Sequence, residues 1–165
     1  MPRALRPGLG GLLVALPMGR MADQRPKSPN PGRRPTVMIV DDDAEMRALL
    51  RDALERDGFD VREDSGDHLV PLLERRAPDA IVLDKEMAGV SGLDLLSYIR
   101  QRHPGLPVIV VTAFGGTEVE AEALKRGATY YIDKPFRVAR LLGMLRAALG
   151  QAAHGAGRRW AEYGK

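Results

Sequence analysis

The sequence AIVLDKEMAGVSG, from Ala80 to Gly92, determines how the rest of the chain is interpreted. Four apolar residues lead into Asp84, and a loop with two glycines follows it. A short apolar run of this kind predicts a buried strand. In open parallel α/β sheets, ligands bind at the carboxyl ends of the strands. The stretch therefore predicts that Asp84 leaves the core at a functional edge of a sheet, where its carboxylate is a candidate nucleophile.

Apolar runs and helical patterns alternate on both sides of this stretch. The predicted strands are Val37–Val40, Phe59–Glu63, Ala80–Leu83, Pro107–Val111 and Thr129–Ile132. Helical spacing predicts helices after Asp43, between about Gly66 and Arg76, from Leu93 to before Pro104, over Thr117–Arg126 and over Val138–Leu149. This alternation predicts an α/β fold, a five-stranded parallel sheet with helices on both faces. We expect the strand order 2-1-3-4-5, one of the two common doubly wound orders, which would give the flavodoxin-like three-layer (βα)5 arrangement.

Two of the predicted helices carry specific expectations. The first has an apolar face formed by Met46, Leu49, Leu50, Ala53 and Leu54. Asp43 is its predicted N-cap, and Gly58 is predicted to end it. The second helix contains Pro71, which is excluded from a helix interior, so we expect that helix to begin late or to be distorted.

Charge and composition divide the chain into three parts. Residues 1–35 carry seven Arg or Lys and one acid and are rich in Pro and Gly, which predicts a disordered basic leader. Residues 36–150 carry fifteen basic and twenty acidic side chains and form the predicted domain. Residues 151–165 form a basic tail that is too short to fold alone. The two ends carry net charges of +6 and +2 and the predicted domain −5, so the positive net charge of +3 comes from the ends, which we expect to be solvated arms.

Several classes of site and location are excluded or disfavoured. The chain has no cysteine, which excludes disulfides, thiolate nucleophiles and cysteine zinc sites, and its three histidines lack metal-ligand spacing. An apolar segment from Leu9 to Met18 resembles a weak signal-peptide core but is too short to span a bilayer. Met21 is an alternative start. We expect a cytoplasmic protein with a dispensable leader and no membrane partner.

Polar side chains stand at the ends of four predicted strands. Asp41 and Asp42 follow the first, Asp84 the third, Thr112 the fourth and Lys134 the fifth. Parallel strands bring these ends to one edge, where three carboxylates repel each other unless a cation intervenes. Oxygen ligands without His or Cys suit Mg²⁺. We expect Asp84 to accept a phosphoryl group, the first two acids to hold Mg²⁺, and Thr112 and Lys134 to contact the phosphoryl oxygens.

From Val37 to Leu149, the chain resembles the receiver domain of a two-component response regulator. The resemblance rests on VMIVDDD at 37–43, IVLDKEM at 81–87 with Gly92, VVTA at 110–113, and GA at 127–128 with KPF at 134–136. It implies that Asp84 takes the phosphoryl group from a phosphohistidine on a sensor histidine kinase or a phosphotransfer protein. The chain would then catalyse only its own phosphorylation and dephosphorylation, and would not be an enzyme acting on other substrates.

The same resemblance implies roles for individual residues. Mg²⁺ would be bound by the carboxylates of Asp42 and Asp84 and the backbone carbonyl of Glu86, while Asp41 would act largely through water. The Lys134–Pro135 bond would be cis, a form that an X-Pro bond reaches at low cost.

Switching is also implied by the resemblance. Thr112 would move toward the phosphoryl group, and the Tyr131 ring would turn inward behind it. The surface formed by the fourth helix, fifth strand and fifth helix would then change, which is a two-state element biased by a charge.

Four residues near the predicted site either differ from the usual family residue or lie where they can affect the lifetime of the phosphoryl group. Ala88 replaces the usual proline and Ser91 replaces the usual acid, and both changes are expected to loosen the loop. Glu86 and Phe114 lie two residues after Asp84 and Thr112, where side chains gate water attack. We therefore expect an altered phosphoryl lifetime.

Taken with the fifteen residues after Gly150, the resemblance predicts a stand-alone receiver without a DNA-binding domain. Its output would go to an unknown downstream protein or onward phosphorelay rather than to nucleic acid, and phosphorylation could also drive homodimer formation. Two alternatives stay open. One is a constitutive interaction module with a vestigial site. The other is a Mg²⁺-dependent phosphohydrolase with Asp84 as nucleophile, although such enzymes commonly need a second Asp where this chain has Glu86.

Overall fold

The computed structural model describes residues 32–150. The predicted tail and nearly all of the predicted leader, including Met21, lie outside the described residues. Five parallel strands form one sheet in the order β2-β1-β3-β4-β5, which confirms the predicted order. The strands are β1 Thr36–Val40, β2 Asp60–Asp64, β3 Ala80–Asp84, β4 Val108–Thr112 and β5 Tyr130–Asp133.

Five helices cover the two faces of this sheet, as predicted. They are α1 Ala44–Arg56, α2 Leu69–Arg75, α3 Gly92–Arg102, α4 Thr117–Lys125 and α5 Val138–Ala148. Side chains of a strand alternate between faces, so each strand serves two cores. Met38 and Val40 pack in the core that includes residues of α2, α3 and α4. Val37 and Ile39 pack with residues of α1 and α5 in the other core.

The strand order explains where a site can form. β1 is hydrogen-bonded to β2 on one side and to β3 on the other, so the chain reverses its direction of winding between β1 and β3. The loops that follow these two strands therefore diverge to opposite faces, and a crevice opens at their carboxyl ends. Asp41 follows β1, and Asp84 is the last residue of β3, so both acids reach this crevice.

The ends of α1 and the start of α2 follow the expected local chemistry. The Asp43 carboxylate accepts hydrogen bonds from the backbone N–H groups of Glu45 and Met46 and caps α1. The chain leaves α1 through Gly58, whose φ of 94° is accessible to glycine without strain. Pro71 lies in the first turn of α2, where its missing N–H would have had no helical partner.

The prediction for Leu49 is wrong. Leu50 and Leu54 are buried, whereas Leu49 is 55% exposed. Successive helix residues are rotated by about 100°, so Leu49 lies well to the side of the arc centred on the two buried leucines. The apolar pattern of α1 is thus wider than the face that the sheet covers.

The segment after β3 is more ordered than a plain loop. Glu86–Met87 pairs antiparallel with Val90–Ser91, forming a short β-hairpin whose two strands are each two residues long. Gly89 turns this hairpin with a φ of 78°. Among the described residues, no helix is long and apolar enough to cross a membrane.

Truncation of two leucines on α1 should separate burial from helix propensity. Leu54→Ala should lower the free energy of unfolding by about 2–5 kcal/mol, because it leaves a cavity beneath a fully buried helix face. Leu49→Ala, the matched control, should change it by less than about 0.5 kcal/mol. Urea unfolding of both variants measures the difference, and equal losses would contradict the orientation of α1.

Candidate functional site

Three consecutive acids after β1 have three different tasks. Asp41 is buried, and its Oδ1 accepts a hydrogen bond from the Asp43 N–H at 2.8 Å, which turns the chain away from the sheet. Asp42 is exposed, and its Oδ2 accepts a hydrogen bond from the Ala88 N–H at 2.8 Å. Asp43 caps α1. Local turn and cap chemistry therefore presents Asp41 and Asp42 to the crevice and uses the third acid to start the helix.

Asp84 joins the first two acids in one cluster. One carboxylate oxygen from each of Asp41, Asp42 and Asp84 lies within 4.8 Å of the other two. Asp41 is 3% exposed and Asp84 is 4% exposed, so water screens the repulsion between them poorly. The donor set consists of three carboxylates at the end of a sheet, which fits a hard cation that prefers oxygen ligands, such as Mg²⁺.

Lys134 provides the cation that contacts this cluster. Its Nζ lies 3.1 Å from Asp41 Oδ2 and 3.3 Å from Asp84 Oδ1. The backbone holds the lysine in place, since the Lys134 N–H donates to the Thr112 carbonyl at 2.7 Å. The Lys134–Pro135 bond is cis. Burial alone would lower the pKa of Lys134, but the two carboxylates outweigh that effect and raise it. Lys134 therefore stays charged at neutral pH.

One ammonium does not compensate for the whole cluster. Burial, followed by the charge of Asp41, raises the pKa of Asp84 from 3.8 to about 6, although Lys134 acts in the opposite direction. At neutral pH, Asp84 is thus ionised, but its negative charge is unfavourable in this environment. Formation of a bond to an electrophile, or binding of a cation nearby, would relieve this unfavourable charge.

Glu86 engages the residues at the end of β4. Its carboxylate accepts the Thr112 hydroxyl at 2.7 and 2.8 Å and the Ala113 N–H at 3.1 Å, and the Lys85 ammonium lies 2.5 Å from its Oε1. Burial would raise the pKa of Glu86, but these hydrogen bonds outweigh it and lower the pKa. Glu86 is therefore an ionised side chain that holds the predicted phosphoryl-contacting hydroxyl.

The loop expected to be loose is held on both sides. The Ala88 N–H that binds Asp42 would be absent from a proline, so the substitution adds a contact to the acidic cluster. Ser91 accepts a hydrogen bond from the Asp94 N–H at 3.4 Å and serves as the N-cap of α3. The expectation that these two residues loosen the loop stays a prediction, and each of them forms a hydrogen bond in the folded chain.

Tyr131 lies behind β4, on the next strand. It is 7% exposed, and its hydroxyl donates a hydrogen bond to Asp133 Oδ1 at 2.7 Å. Burial and that carboxylate raise the pKa of Tyr131 to about 12, so the phenol remains a donor at neutral pH. A side chain at Gly115 would clash with both groups, which explains the glycine there. Phe114, by contrast, is 75% exposed.

The sequence pattern located the polar groups but missed several of their contacts. Asp41, Asp42, Asp84 and Lys134 meet as the strand order predicts. The side-chain contacts of Glu86 and the role of the Ala88 amide were not predicted. One signal was present, because residues two apart in extended chain point to the same side, which puts Glu86 beside Asp84. The predicted metal role of the Glu86 carbonyl and switching role of Tyr131 stay predictions.

Comparison with known proteins gives one consistent match. Residues 37–146 match the family model described as the response regulator receiver domain. The response regulator protein FleR of Pseudomonas aeruginosa is 40% identical over 117 residues, which cover 70% of this chain and 25% of that protein. The probable transcriptional regulatory protein TcrX of Mycobacterium tuberculosis is 34% identical over 119 residues, covering 72% of this chain and 51% of TcrX.

The fold comparison agrees. The crystal structure of the receiver domain of NtrX from Brucella abortus has a TM-score of 0.66 and 33% identity, and the match covers 70% of this chain and 99% of that one. Against the two full-length relatives above, this chain spans about a quarter and about half of their lengths.

Neutralising Asp84 should stabilise the metal-free protein above about pH 6. The pKa of Asp84 rises from 3.8 to about 6 on folding, so the free energy of unfolding falls as pH rises through that window and stays reduced above it. Asp84→Asn has no carboxylate to ionise, so it avoids this loss. Its free energy of unfolding should exceed that of the parent by about 1–3 kcal/mol at about pH 8, and by little near about pH 4. Urea unfolding across this range, with a chelator present, measures the effect.

The control is Asp52→Asn, which removes an exposed acid of α1 that pairs with Arg51. It should change stability little and without this pH dependence. A gain for Asp84→Asn that is the same at every pH would contradict the raised pKa that burial and the charge of Asp41 give to Asp84.

Proposed function

We propose, because the chain belongs to the response regulator receiver domain family, that Asp84 accepts a phosphoryl group from a phosphohistidine. The donor would be a sensor histidine kinase or a phosphotransfer protein. One observation carries the proposal, namely the contact of Lys134 with both Asp41 and Asp84 at the acidic end of the sheet. This arrangement supports an anionic nucleophile next to a fixed positive charge, as phosphoryl transfer requires.

The reaction follows from the state of Asp84. A carboxylate oxygen of Asp84 attacks the phosphorus atom, a P–O bond forms, and the P–N bond to the donor imidazole breaks. The imidazole nitrogen takes up a proton as it leaves. The pKa of about 6 keeps Asp84 ionised, and therefore nucleophilic, at neutral pH. Water later hydrolyses the resulting acyl phosphate and restores the carboxylate.

Mg²⁺ is the proposed cofactor. The carboxylates of Asp41, Asp42 and Asp84 would hold it, together with the backbone carbonyl of Glu86. Bound there, Mg²⁺ would neutralise the acids and stabilise charge on the phosphoryl oxygens. The fit is supported by three carboxylate oxygens within 4.8 Å of one another. The Ala88 N–H supports Asp42 by orienting its exposed carboxylate toward the crevice edge.

After transfer, the negative oxygens of the phosphoryl group on Asp84 need hydrogen-bond donors close by. Lys134 lies against Asp84, and Thr112 ends the strand that pairs with β3, so we assign the contacts with the phosphoryl oxygens to these two residues. Thr112 pairs in register with Asp133, which holds the Tyr131 hydroxyl. A change at Thr112 would reach Tyr131 and the surface of α4, β5 and α5, where an unknown downstream protein would bind.

The alternatives fit the contacts less well. A vestigial site would not need to keep two buried like charges and a lysine in contact, since that arrangement is costly. A phosphohydrolase would need a free acid or base near Asp84, whereas the Glu86 carboxylate is already bound to Thr112, Ala113 and Lys85. The receiver mechanism uses the three clustered carboxylates and the lysine that contacts two of them.

A phosphorylation assay tests the proposal directly. Incubation with acetyl phosphate and Mg²⁺ should add the mass of one phosphoryl group to each chain, as measured by intact-protein mass spectrometry. Asp84→Asn should abolish the adduct, because it removes the nucleophile. Chelation of Mg²⁺ should reduce the adduct at least about tenfold, because the carboxylate repulsion is then uncompensated.

Two lysines provide a matched comparison for the same assay. Lys134→Ala should slow adduct formation about 100-fold through loss of its charge at the reacting oxygens. Lys125→Ala, on the exposed end of α4, should leave the rate unchanged. No adduct in the parent chain would favour the vestigial module, and repeated turnover of phosphate esters would favour the hydrolase.

A further inference from the structure

The Glu86 carboxylate has an unusual set of partners. It accepts the Thr112 hydroxyl at 2.7 and 2.8 Å with its two oxygens and the Ala113 N–H at 3.1 Å. These two donors are consecutive along the chain at the end of β4. They form a small two-point anion seat, and an anionic side chain of the same molecule fills it.

The seat lies next to the proposed phosphoryl acceptor. Asp84 pairs in register with Val111, so Thr112 and Ala113 leave the sheet directly beside it. The Glu86 carboxylate reaches these same two residues, so it lies at the strand end that is next to Asp84. A phosphoryl group on Asp84 carries several anionic oxygens and needs hydrogen-bond donors at this distance.

We propose that the Glu86 carboxylate occupies the place of the phosphoryl oxygens before transfer, and that phosphorylation of Asp84 requires it to leave. This inference rests on the proposed function. One anion must replace another at the same two donors, because a hydroxyl and an amide carry one hydrogen each. Glu86 is thus a positioning residue, and its occupation of the seat lowers the rate at which Asp84 is phosphorylated.

Lys85 strengthens the occupied state. Its ammonium lies 2.5 Å from Glu86 Oε1, and the residue is partly buried, so the pair is only partly screened by water. The Lys85 backbone N–H donates to the Val111 carbonyl at 2.8 Å, which anchors the lysine to β4. The side chain of Glu86 is therefore held at the seat from two directions before any phosphoryl group arrives.

Two consequences follow for the unphosphorylated protein. First, the Ala113 N–H already donates to an anion, so phosphorylation should change the hydrogen-exchange protection of this amide only slightly. Second, removal of Glu86 from the seat should speed phosphorylation, because the incoming oxygens no longer compete with a carboxylate.

The variants must separate occupation of the seat from simple charge repulsion. Glu86→Ala removes both the charge and the hydrogen bonds. Glu86→Asp keeps the charge but shortens the side chain by one methylene, so its carboxylate falls short of the two donors. Glu74→Ala, an exposed acid on α2, is the control for a general change in net charge. All are made in the full chain with Mg²⁺ present.

The first measurement is the rate of adduct formation with acetyl phosphate. Glu86→Ala and Glu86→Asp should both be phosphorylated about tenfold faster than the parent, and Glu74→Ala should match the parent. If Glu86→Asp behaves like the parent while Glu86→Ala is faster, charge repulsion alone explains the effect and the proposal is overturned.

The second measurement is hydrogen exchange at the Ala113 amide, followed by NMR. In the unphosphorylated state, exchange should be about tenfold faster in both Glu86 variants than in the parent, because the amide has lost its acceptor. Phosphorylation should restore protection in the variants and leave the parent nearly unchanged. Equal exchange in all unphosphorylated forms would overturn the proposal.

The adduct measurement distinguishes the phosphorylation of Asp84 from the role of Glu86. If no chain forms an adduct, the proposed function of Asp84 is wrong, and the competition proposed for Glu86 falls with it. If all chains form the adduct at one rate, phosphorylation of Asp84 stands and only the role of Glu86 is overturned.

Discussion

Mutual repulsion among the carboxylates at the ends of β1 and β3 is the constraint on which the site depends. Asp41 and Asp84 are almost fully buried, Asp42 lies at the same edge, and Lys134 contacts only two of the three. An unfolded chain would let these charges separate into water, so the folded domain bears an electrostatic cost here. That cost makes the site responsive, because a cation or a covalent modification of Asp84 relieves it.

The sheet stays folded despite this unfavourable electrostatic energy because its core is made of side chains that lie away from the charges. Every residue of β3 and β4 is buried, and each strand contributes alternately to two separate cores. In β3 and β4, polar side chains come only at the carboxyl ends, Asp84 and Thr112, where the backbone continues into loops. A strained polar edge can therefore sit on a stable apolar layer without disturbing its packing.

The hairpin after β3 connects the acidic cluster with the anion seat at the end of β4. Its Ala88 amide orients Asp42, and its Glu86 side chain holds Thr112 and Ala113. A short segment of two-residue strands thus touches both the residues proposed for Mg²⁺ and those proposed for the phosphoryl oxygens. Substitutions in this segment would therefore alter both sets of contacts together.

Local sequence patterns were enough to predict the α/β layers and, for a doubly wound strand order, the meeting of Asp41, Asp84 and Lys134. These follow from local periodicity and from the rule that parallel strands end at one edge, even though Lys134 and Asp41 are 93 residues apart. Periodicity failed at Leu49, where the apolar arc of α1 is wider than the sheet beneath it. Only the tertiary structure decided that Glu86 binds Thr112 and that Ala88 binds Asp42. Those contacts depend on the turn of a hairpin and on the direction of single side chains, which no repeating pattern specifies, because each is fixed by a partner from a distant strand end.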